Sequence, residues 1–190
     1  MRRIYILLLC FLASSASLFS APVDSLFLSA PRHVVPLPAS DTLHVLSRTA
    51  RSLRVAFSSR AEVEMAVFTA GGRELRATLT TLRLPAADTE VRFWDEGWRE
   101  VPAALPRPVL DDFLVPSDSL SAFRADELRR LLYPLHVAWT WREEAGAFAA
   151  CVSLDALPDF ERRSWQNHLR ERLFSPEEML NWHDAGRKTP

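Results

Sequence analysis

The chain has 190 residues, of which 23 are basic and 24 acidic, so its formal net charge is −1 at pH 7. This balance leaves no basic surplus for binding nucleic acid or an anionic membrane surface, and we expect neither as a partner. A chain of this length suits one domain that buries a hydrophobic core of its own.

The N-terminal segment has the order of an export signal. An arginine pair precedes an apolar run at residues 4–13, and small residues follow at 14–17. Charge, apolar run and small residues in this order are typical of a secretory signal peptide. We therefore predict that residues 1–20 are a signal peptide, that the mature chain begins between Ser17 and Ala21, and that the protein is exported to the periplasm or cell envelope.

The same segment bears on membrane attachment and disulfides. The apolar run is about half the ~20 residues that a membrane-spanning helix needs, so we expect no transmembrane span. Cys10 lies inside the run and follows Leu9, where lipidation of a signal cysteine requires a small residue. Removal of the signal leaves Cys151 alone, and the fold then rests on its core without an internal disulfide.

Three strands are predicted at residues 52–58, 62–69 and 74–82, where apolar and polar residues alternate. Such a period of two indicates strands with one face buried, as in antiparallel sheets. Gly71 and Gly72 separate the second strand from the third and accept the positive φ of a tight turn. The pattern predicts a meander.

A fourth strand is predicted at residues 90–94, followed by an acidic turn at 95–97. Three prolines then make residues 102–108 a stiff connector, because proline lacks the N–H that a helix or inner strand needs. We predict that this connector separates two halves of a single domain at residues 22–190.

The second half begins with a predicted helix at residues 120–132, for which Asp118 or Ser119 is the expected N-cap. Alternating residues over 135–141 and 148–154 then predict a second hairpin.

Two helices are predicted at the C-terminus. In the first, Asp159 is the expected cap, and Trp165, Leu169 and Leu173 are spaced by four residues. The second begins with a capping box at residues 175–178, with proline in its favoured first turn. The predicted fold class is α+β: an antiparallel meander of about four strands plus a second hairpin, one central helix and two C-terminal helices.

Three segments resemble a known family in the same order along the chain. They are Asp24–Pro31, Asp88–Trp94 with Trp98 four residues later, and Asp111–Pro116 after the proline connector. The chain resembles, over about residues 22–175, the Bacteroidales family of small exported proteins catalogued as domain of unknown function 3256. The resemblance implies an exported protein with one domain, and it assigns no catalytic residue.

Asp111, Asp112 and Asp118 are candidate oxygen ligands for calcium. Their spacing matches no known calcium loop, and calcium needs six to eight oxygens. Aspartates also accept hydrogen bonds from backbone N–H groups in turns and at helix starts, and we predict this capping role.

Cys151 and His136 are a candidate nucleophilic pair. If Trp141 pairs with Phe148 in the second hairpin, Cys151 lies opposite Ala138 and His136 is its diagonal neighbour. The sequence shows no third group to orient the histidine. We predict instead a small buried cysteine and a surface histidine.

Other chemistry has little support in the sequence. His168 and His183, with Glu171 and Asp184 nearby, match no zinc spacing. The chain has neither a Gly-x-Ser-x-Gly motif nor a glycine-rich phosphate loop. We therefore predict no catalytic residue, no metal and no cofactor, and we expect that the protein is not an enzyme.

With six tryptophans, the chain is rich in this residue for its size. Trp94 and Trp98 flank the acidic turn that contains Asp95 and Glu96, and aromatic residues anchor interfaces and stack on sugars. For each ring a core position is nevertheless favoured over an exposed one. We interpret Trp94, Trp98, Asp95 and Glu96 as the candidate partner-binding site.

Two functions follow from this interpretation. The first is a non-enzymatic module of the cell envelope that binds an envelope protein. The second is a carrier of a small ligand or glycan, which requires an apolar pocket lined by Trp94, Trp98 or Trp139.

Overall fold

The computed structural model describes residues 23–35, 43–116 and 120–181. The predicted signal peptide lies outside these ranges. The strands are β1 (His44–Arg48), β2 (Ser52–Ser58), β3 (Ala61–Ala70), β4 (Arg73–Arg83), β5 (Ala87–Trp94), β6 (Glu100–Val101), β7 (Val137–Arg142), β8 (Ala147–Val152) and β9 (Arg172–Phe174). The helices are α1 (Val23–Ser29), α2 (Leu110–Phe113), α3 (Ala122–Leu131), α4 (Asp159–Trp165) and α5 (Pro176–Leu180), with a 3₁₀ helix at Gln166–His168.

The described strands form two antiparallel sheets. The larger sheet has six strands in the order β1 to β6, and the smaller has three in the order β7, β8, β9. The α+β class and the meander are therefore confirmed, and β2, β3 and β4 match the predicted strands to within one residue. Strand β5 begins at Ala87, earlier than predicted. In the second hairpin Trp141 pairs with Phe148, which confirms the predicted register.

Both faces of the six-stranded sheet are covered. On one face, α1 and the turn after it form a layer that we call the α1 layer; its buried residues are Val23, Leu26, Phe27, Val34, Val35, Leu53, Val55, Val63, Met65, Val67 and Trp94. On the other face, the three-stranded sheet and α5 form the sheet–sheet layer; its largest buried residues are Phe68, Leu79, Phe93, Phe113, Trp141, Phe148, Phe174 and Met179. Strand β3 is buried at nearly every position because it contributes to both layers.

A third, smaller cluster lies beneath α3 and α4. It consists of Leu110, Leu128, Leu132, Leu157 and Trp165. The N-cap of α3 is Ser121, whose hydroxyl accepts a hydrogen bond from the Arg124 N–H. The predicted caps Asp118 and Ser119 lie outside the described residues.

The predicted C-terminal helix through Leu169 and Leu173 is wrong. Helix α4 ends at Trp165, and the chain then adds β9 to the open edge of β8, where Phe174 pairs with Phe148. The pairing leaves Leu173 exposed. Asp159 lies in the first turn of α4 and does not cap it.

The predicted capping box at the start of α5 is confirmed. The Ser175 hydroxyl accepts from the Glu178 N–H, and the Glu178 carboxylate accepts from the Ser175 N–H over 2.7 Å. Elements that the sequence patterns did not predict are α1, β1, β6, α2 and β9. Within the described ranges, no helix is both long and apolar enough to cross a membrane.

Candidate functional site

The turn between β5 and β6 contains the residues predicted to bind a partner. Asp95 Oδ1 accepts hydrogen bonds from the N–H of Gly97 over 2.8 Å and of Arg99 over 2.9 Å. The pKa of the Asp95 carboxyl is lowered from its ordinary value, and the hydrogen bond from the Arg99 N–H is the largest cause. The carboxylate therefore satisfies the backbone of its own turn.

Trp98 completes this turn in an unusual conformation. Its φ is 60°, in the left-handed region that residues other than glycine rarely adopt. The Arg76 guanidinium lies 4.5 Å from the centre of the Trp98 ring, and Arg76 Nη1 donates to the Glu96 carbonyl over 2.8 Å. Trp98 is half-buried and packs against the α1 layer, whereas Glu96 is exposed.

Trp94 lies in the core, so it does not belong to an exposed partner-binding site. Its ring is 2% exposed, and its Nε1 donates to Thr78 Oγ1 over 2.9 Å. The pattern of β5 places Val91 and Phe93 in the sheet–sheet layer, and Trp94 therefore points to the opposite face. That face is buried too, because α1 covers it.

The tryptophans named for the wall of a ligand pocket, Trp94, Trp98 and Trp139, do not lie on one side of the six-stranded sheet. Trp94 and Trp98 belong to the α1 layer, whereas Trp139 packs in the sheet–sheet layer with its ring centre 5.2 Å from that of Phe174. The six-stranded sheet separates them. The three rings therefore do not line one common pocket or platform.

The nucleophilic pair is also not assembled. Cys151 pairs with Ala138 as predicted, and burial, with a smaller contribution from the Glu171 carboxylate, raises the pKa of its thiol. The His136 ring nitrogen Nδ1 lies 3.4 Å from Asp88 Oδ2. The histidine is thus directed to Asp88, and the thiol stays protonated at neutral pH.

The capping role predicted for the aspartates around α2 is confirmed for Asp112 only. Asp112 Oδ2 accepts from the Val109 N–H over 2.8 Å, and its other oxygen pairs with Arg172 on β9. Asp111 pairs with Arg129 of α3 over 2.7 Å. Asp118 lies outside the described residues, as do His183 and Asp184.

No group of three or more histidine, cysteine or acidic side chains within residues 23–35, 43–116 and 120–181 is placed to hold a metal ion. His168, one of the residues considered above as zinc ligands, has the centre of its ring 6.0 Å from that of Trp165.

A buried carboxyl group between the two sheets was missed in the sequence. Glu64 on β3 is 4% exposed and accepts from Thr140 Oγ1 over 2.8 Å and from the Trp141 N–H over 3.3 Å. Burial raises the pKa of this carboxyl, against the lowering effect of those two hydrogen bonds and of Arg54 and Arg142. Its position inside the apolar run from Val63 to Phe68 was the available signal.

Strand β1 forms one outer edge of the six-stranded sheet. All five of its residues are exposed, with Val45 62% and Leu46 51% exposed. Among the described residues β1 pairs only with β2, so its other side is a free edge. Arg48 forms an ion pair with Asp24 of α1, which fastens the end of β1 to the helix.

A small apolar pocket lies between α2 and α3. Its volume is about 280 Å³, and its walls include Val109, Leu110, Leu132, Tyr133 and Leu135. The ion pair of Asp111 with Arg129 forms a polar part of the wall.

The fold is similar to that of a protein of known structure. A solved structure of a domain of an uncharacterized protein from Porphyromonas gingivalis W83 is similar, with a TM-score of 0.57 and 18% sequence identity. The match covers 80% of this chain and 90% of that one. Identity this low shows a shared fold alone. None of the curated proteins matches the chain.

The model of one protein family matches residues 39–185, which span both sheets and most of the helices. The family is described as protein of unknown function, DUF3256. The resemblance seen in the sequence is thereby confirmed, and the chain belongs to the DUF3256 family.

Proposed function

We propose that the protein is an exported, non-enzymatic module of the cell envelope that binds an extended segment of a partner protein along β1. Export is supported by the order of charged, apolar and small residues at positions 1–20. The observation that carries the binding role is the free edge of β1, since Trp94, one of the two rings of the predicted tryptophan site, is buried.

An exposed strand edge carries unpaired N–H and C=O groups, which accept another strand readily. A peptide that adds to such an edge gains affinity from main-chain hydrogen bonds and specificity from alternate side chains. The exposed side chains of Val45 and Leu46 offer apolar contacts to such a peptide. The strand at the other edge of the sheet, β6, has only two residues and therefore offers a partner strand fewer backbone groups for pairing.

Binding is favoured over catalysis by how the reactive groups are used. The carboxylates of Asp95 and Asp112 accept backbone hydrogen bonds, and burial keeps the Cys151 thiol protonated. Groups committed to turns and caps are poor proton-transfer groups, because a general acid or base must reach the substrate.

The test compares partner capture by two lysine variants with that of the wild-type protein. Leu46→Lys places a charge on the free edge, and Leu82→Lys is the matched control. Leu82 is 53% exposed but lies on β4, which has strands on both sides. We expect cross-linking in intact cells to lose its main protein product with Leu46→Lys only. Equal capture by both variants would contradict the proposal.

A second candidate function is a small-ligand carrier, and the apolar pocket between α2 and α3 is the observation that favours it. Its volume of about 280 Å³ is near the lower end of small-molecule pockets, ~300–1,000 Å³. Substituting Leu132 by Trp would fill it. Loss of a ligand-induced rise in melting temperature in that variant, with Leu46→Lys unaffected, would favour the carrier over the protein-binding module.

A further inference from the structure

The hairpin of β1 and β2 is rich in arginine and contains no acidic residue. Over residues 43–61 its charged and titratable side chains are His44, Arg48, Arg51, Arg54 and Arg60. The chain as a whole has 24 acidic and 23 basic residues, so this segment is a local excess of positive charge. We call it the basic hairpin. Its first strand, β1, is the free edge on which the proposed function depends.

Neighbouring acidic groups neutralise part of this charge. Arg48 forms an ion pair with Asp24 of α1, and Arg54 forms one with Glu62 of β3. Glu62 is shared, because it also pairs with Arg83 over 3.1 Å. Arg54 is half-buried, whereas the side chain of Arg48 is 65% exposed. A guanidinium has five N–H donors, so one carboxylate does not use them all, and Arg48 stays open to a partner.

Arg51 and Arg60 carry the rest of the positive charge. Both are exposed, in the turns before and after β2. Within the part of the chain that the structure describes, neither guanidinium forms an ion pair. Glu143 lies beside the first turn, where its Oε2 accepts from the Arg51 N–H over 3.1 Å. Four arginines are thus opposed by three carboxylates, one of them shared, and the basic hairpin keeps an excess of positive charge.

An apolar and a basic side chain of β1 lie on the same face of the sheet. Val45 pairs with Val55 and Arg48 with Leu53, and both of these partners belong to the α1 layer. Directly paired residues of antiparallel strands point to the same face. Val45 is 62% exposed. A strand added to the edge of β1 therefore meets one apolar contact and one guanidinium from the side of α1.

We infer that the segment bound along β1 is acidic: an extended stretch whose aspartate or glutamate side chains lie against Arg48 and Arg51, with an apolar side chain against Val45. This inference rests on the proposed function, because it names the chemistry of the segment that docks on β1. Complementary charge speeds the encounter of two partners and disfavours wrong ones. A second copy of this chain is less suited to the edge, because its own basic hairpin would bring like charges together.

Selection from a phage-displayed library of random peptides tests the composition of the bound segment. The baits are the purified wild-type protein, Leu46→Glu on the free edge, and Leu82→Glu as the matched control on the inner strand β4. We expect the wild type and Leu82→Glu to enrich peptides with more aspartate and glutamate, and less lysine and arginine, than the unselected library. Leu46→Glu should not enrich them, because its carboxylate repels an acidic peptide at the edge.

The most enriched peptide then serves as the probe in fluorescence polarisation, beside a neutral copy in which asparagine and glutamine replace its acidic residues. We expect the Kd of the neutral copy to be about tenfold higher or more, and the ratio of the two Kd values to fall in high salt, which screens exposed charges. Arg51→Gln should lower this ratio. Arg163→Gln is the control, since Arg163 is exposed on α4, and it should leave the ratio unchanged.

The outcomes separate the chemistry of the segment from its place of binding. Enriched peptides without an acidic excess, equal Kd values for the acidic peptide and its neutral copy, or a ratio that Arg51→Gln and Arg163→Gln leave equally unchanged would overturn this inference alone. Equal enrichment by Leu46→Glu and the wild type, or no enrichment by the wild type, would contradict docking on β1 and the inference with it.

Discussion

The indole N–H of Trp94 donates to the hydroxyl of Thr78 across β4 and β5, over 2.9 Å, inside the layer that α1 closes. This hydrogen bond allows a large aromatic ring to be buried without an unpaired donor. It also explains why Trp94 stabilises the fold and cannot present its ring to a partner.

Trp94→Ala should lower the free energy of unfolding by about 3–5 kcal/mol, because it removes a large buried side chain and leaves a cavity. Trp98→Ala should cost less, since Trp98 is half-buried. Urea denaturation measures both. A Trp94→Ala protein as stable as the wild type would contradict the core position.

The hydrogen bond itself is measured by a double-mutant cycle of Trp94→Phe and Thr78→Val. We expect a coupling of about 1 kcal/mol, the usual net contribution of a buried hydrogen bond. Additive effects of the two substitutions would show that the bond adds nothing to stability.

Glu64→Gln should make the protein more stable near neutral pH. The pKa of Glu64 is raised in the folded state, so the folded protein holds this proton more tightly than the unfolded chain does. That stabilisation is complete below the ordinary glutamate value of 4.5 and is lost as the pH rises through the folded pKa. Glutamine keeps an acceptor oxygen for Thr140 and the Trp141 N–H and cannot ionise.

The measurement is thermal unfolding of both proteins across the acidic to neutral range. The melting temperature of Glu64→Gln should exceed that of the wild-type protein by an amount that grows as the pH rises and disappears at low pH. A constant difference between the two proteins at every pH would show that ionisation of Glu64 does not affect stability.

Asp112→Ala should destabilise the protein more than Asp111→Ala. Asp112 caps α2 at the Val109 N–H and pairs with Arg172, so its loss should cost about 1–3 kcal/mol. Asp111 forms an exposed ion pair with Arg129, and such pairs contribute about 0–1 kcal/mol. Denaturant unfolding of the two variants distinguishes these roles. If the two aspartates shared a single role as ligands, both substitutions would lower the free energy of unfolding by similar amounts.

Cys151 should react slowly with a thiol reagent in the folded protein. Burial raises the pKa of its thiol, and the thiolate is the reactive form. The assay at mildly alkaline pH uses a Cys10→Ser chain, so that Cys151 is the only thiol, with the urea-unfolded protein as reference. Equal rates in the folded and unfolded states would contradict the buried environment.

Local patterns predicted the meander well because apolar residues alternate along β2 to β4, although both faces of the sheet are covered. Trp94 was wrongly included in the candidate partner-binding site, because its burial depends on α1, which is distant in sequence. The nearly unbroken apolar run of β3, from Val63 to Phe68, was the signal that both faces are covered.

The C-terminal error has a different cause. Trp165, Leu169 and Leu173 fit a helical spacing, but β9 forms because β8 offers a free edge. The pairing of β9 with β8 joins segments that are separated in sequence by a helix, and local periodicity does not encode it. The candidate docking strand β1 was missed for a related reason, since all five of its residues are exposed and leave no alternation.

Site-specific photo-cross-linking tests docking along β1 most directly. A photoreactive amino acid replaces Leu46 in one protein and Leu82 in the other, and both are irradiated in intact cells of the source organism. We predict a discrete cross-linked protein from position 46 that position 82 does not give, with an extended segment of that protein as the labelled site. Cross-links of the same pattern from both positions, or none from position 46, would contradict docking along β1.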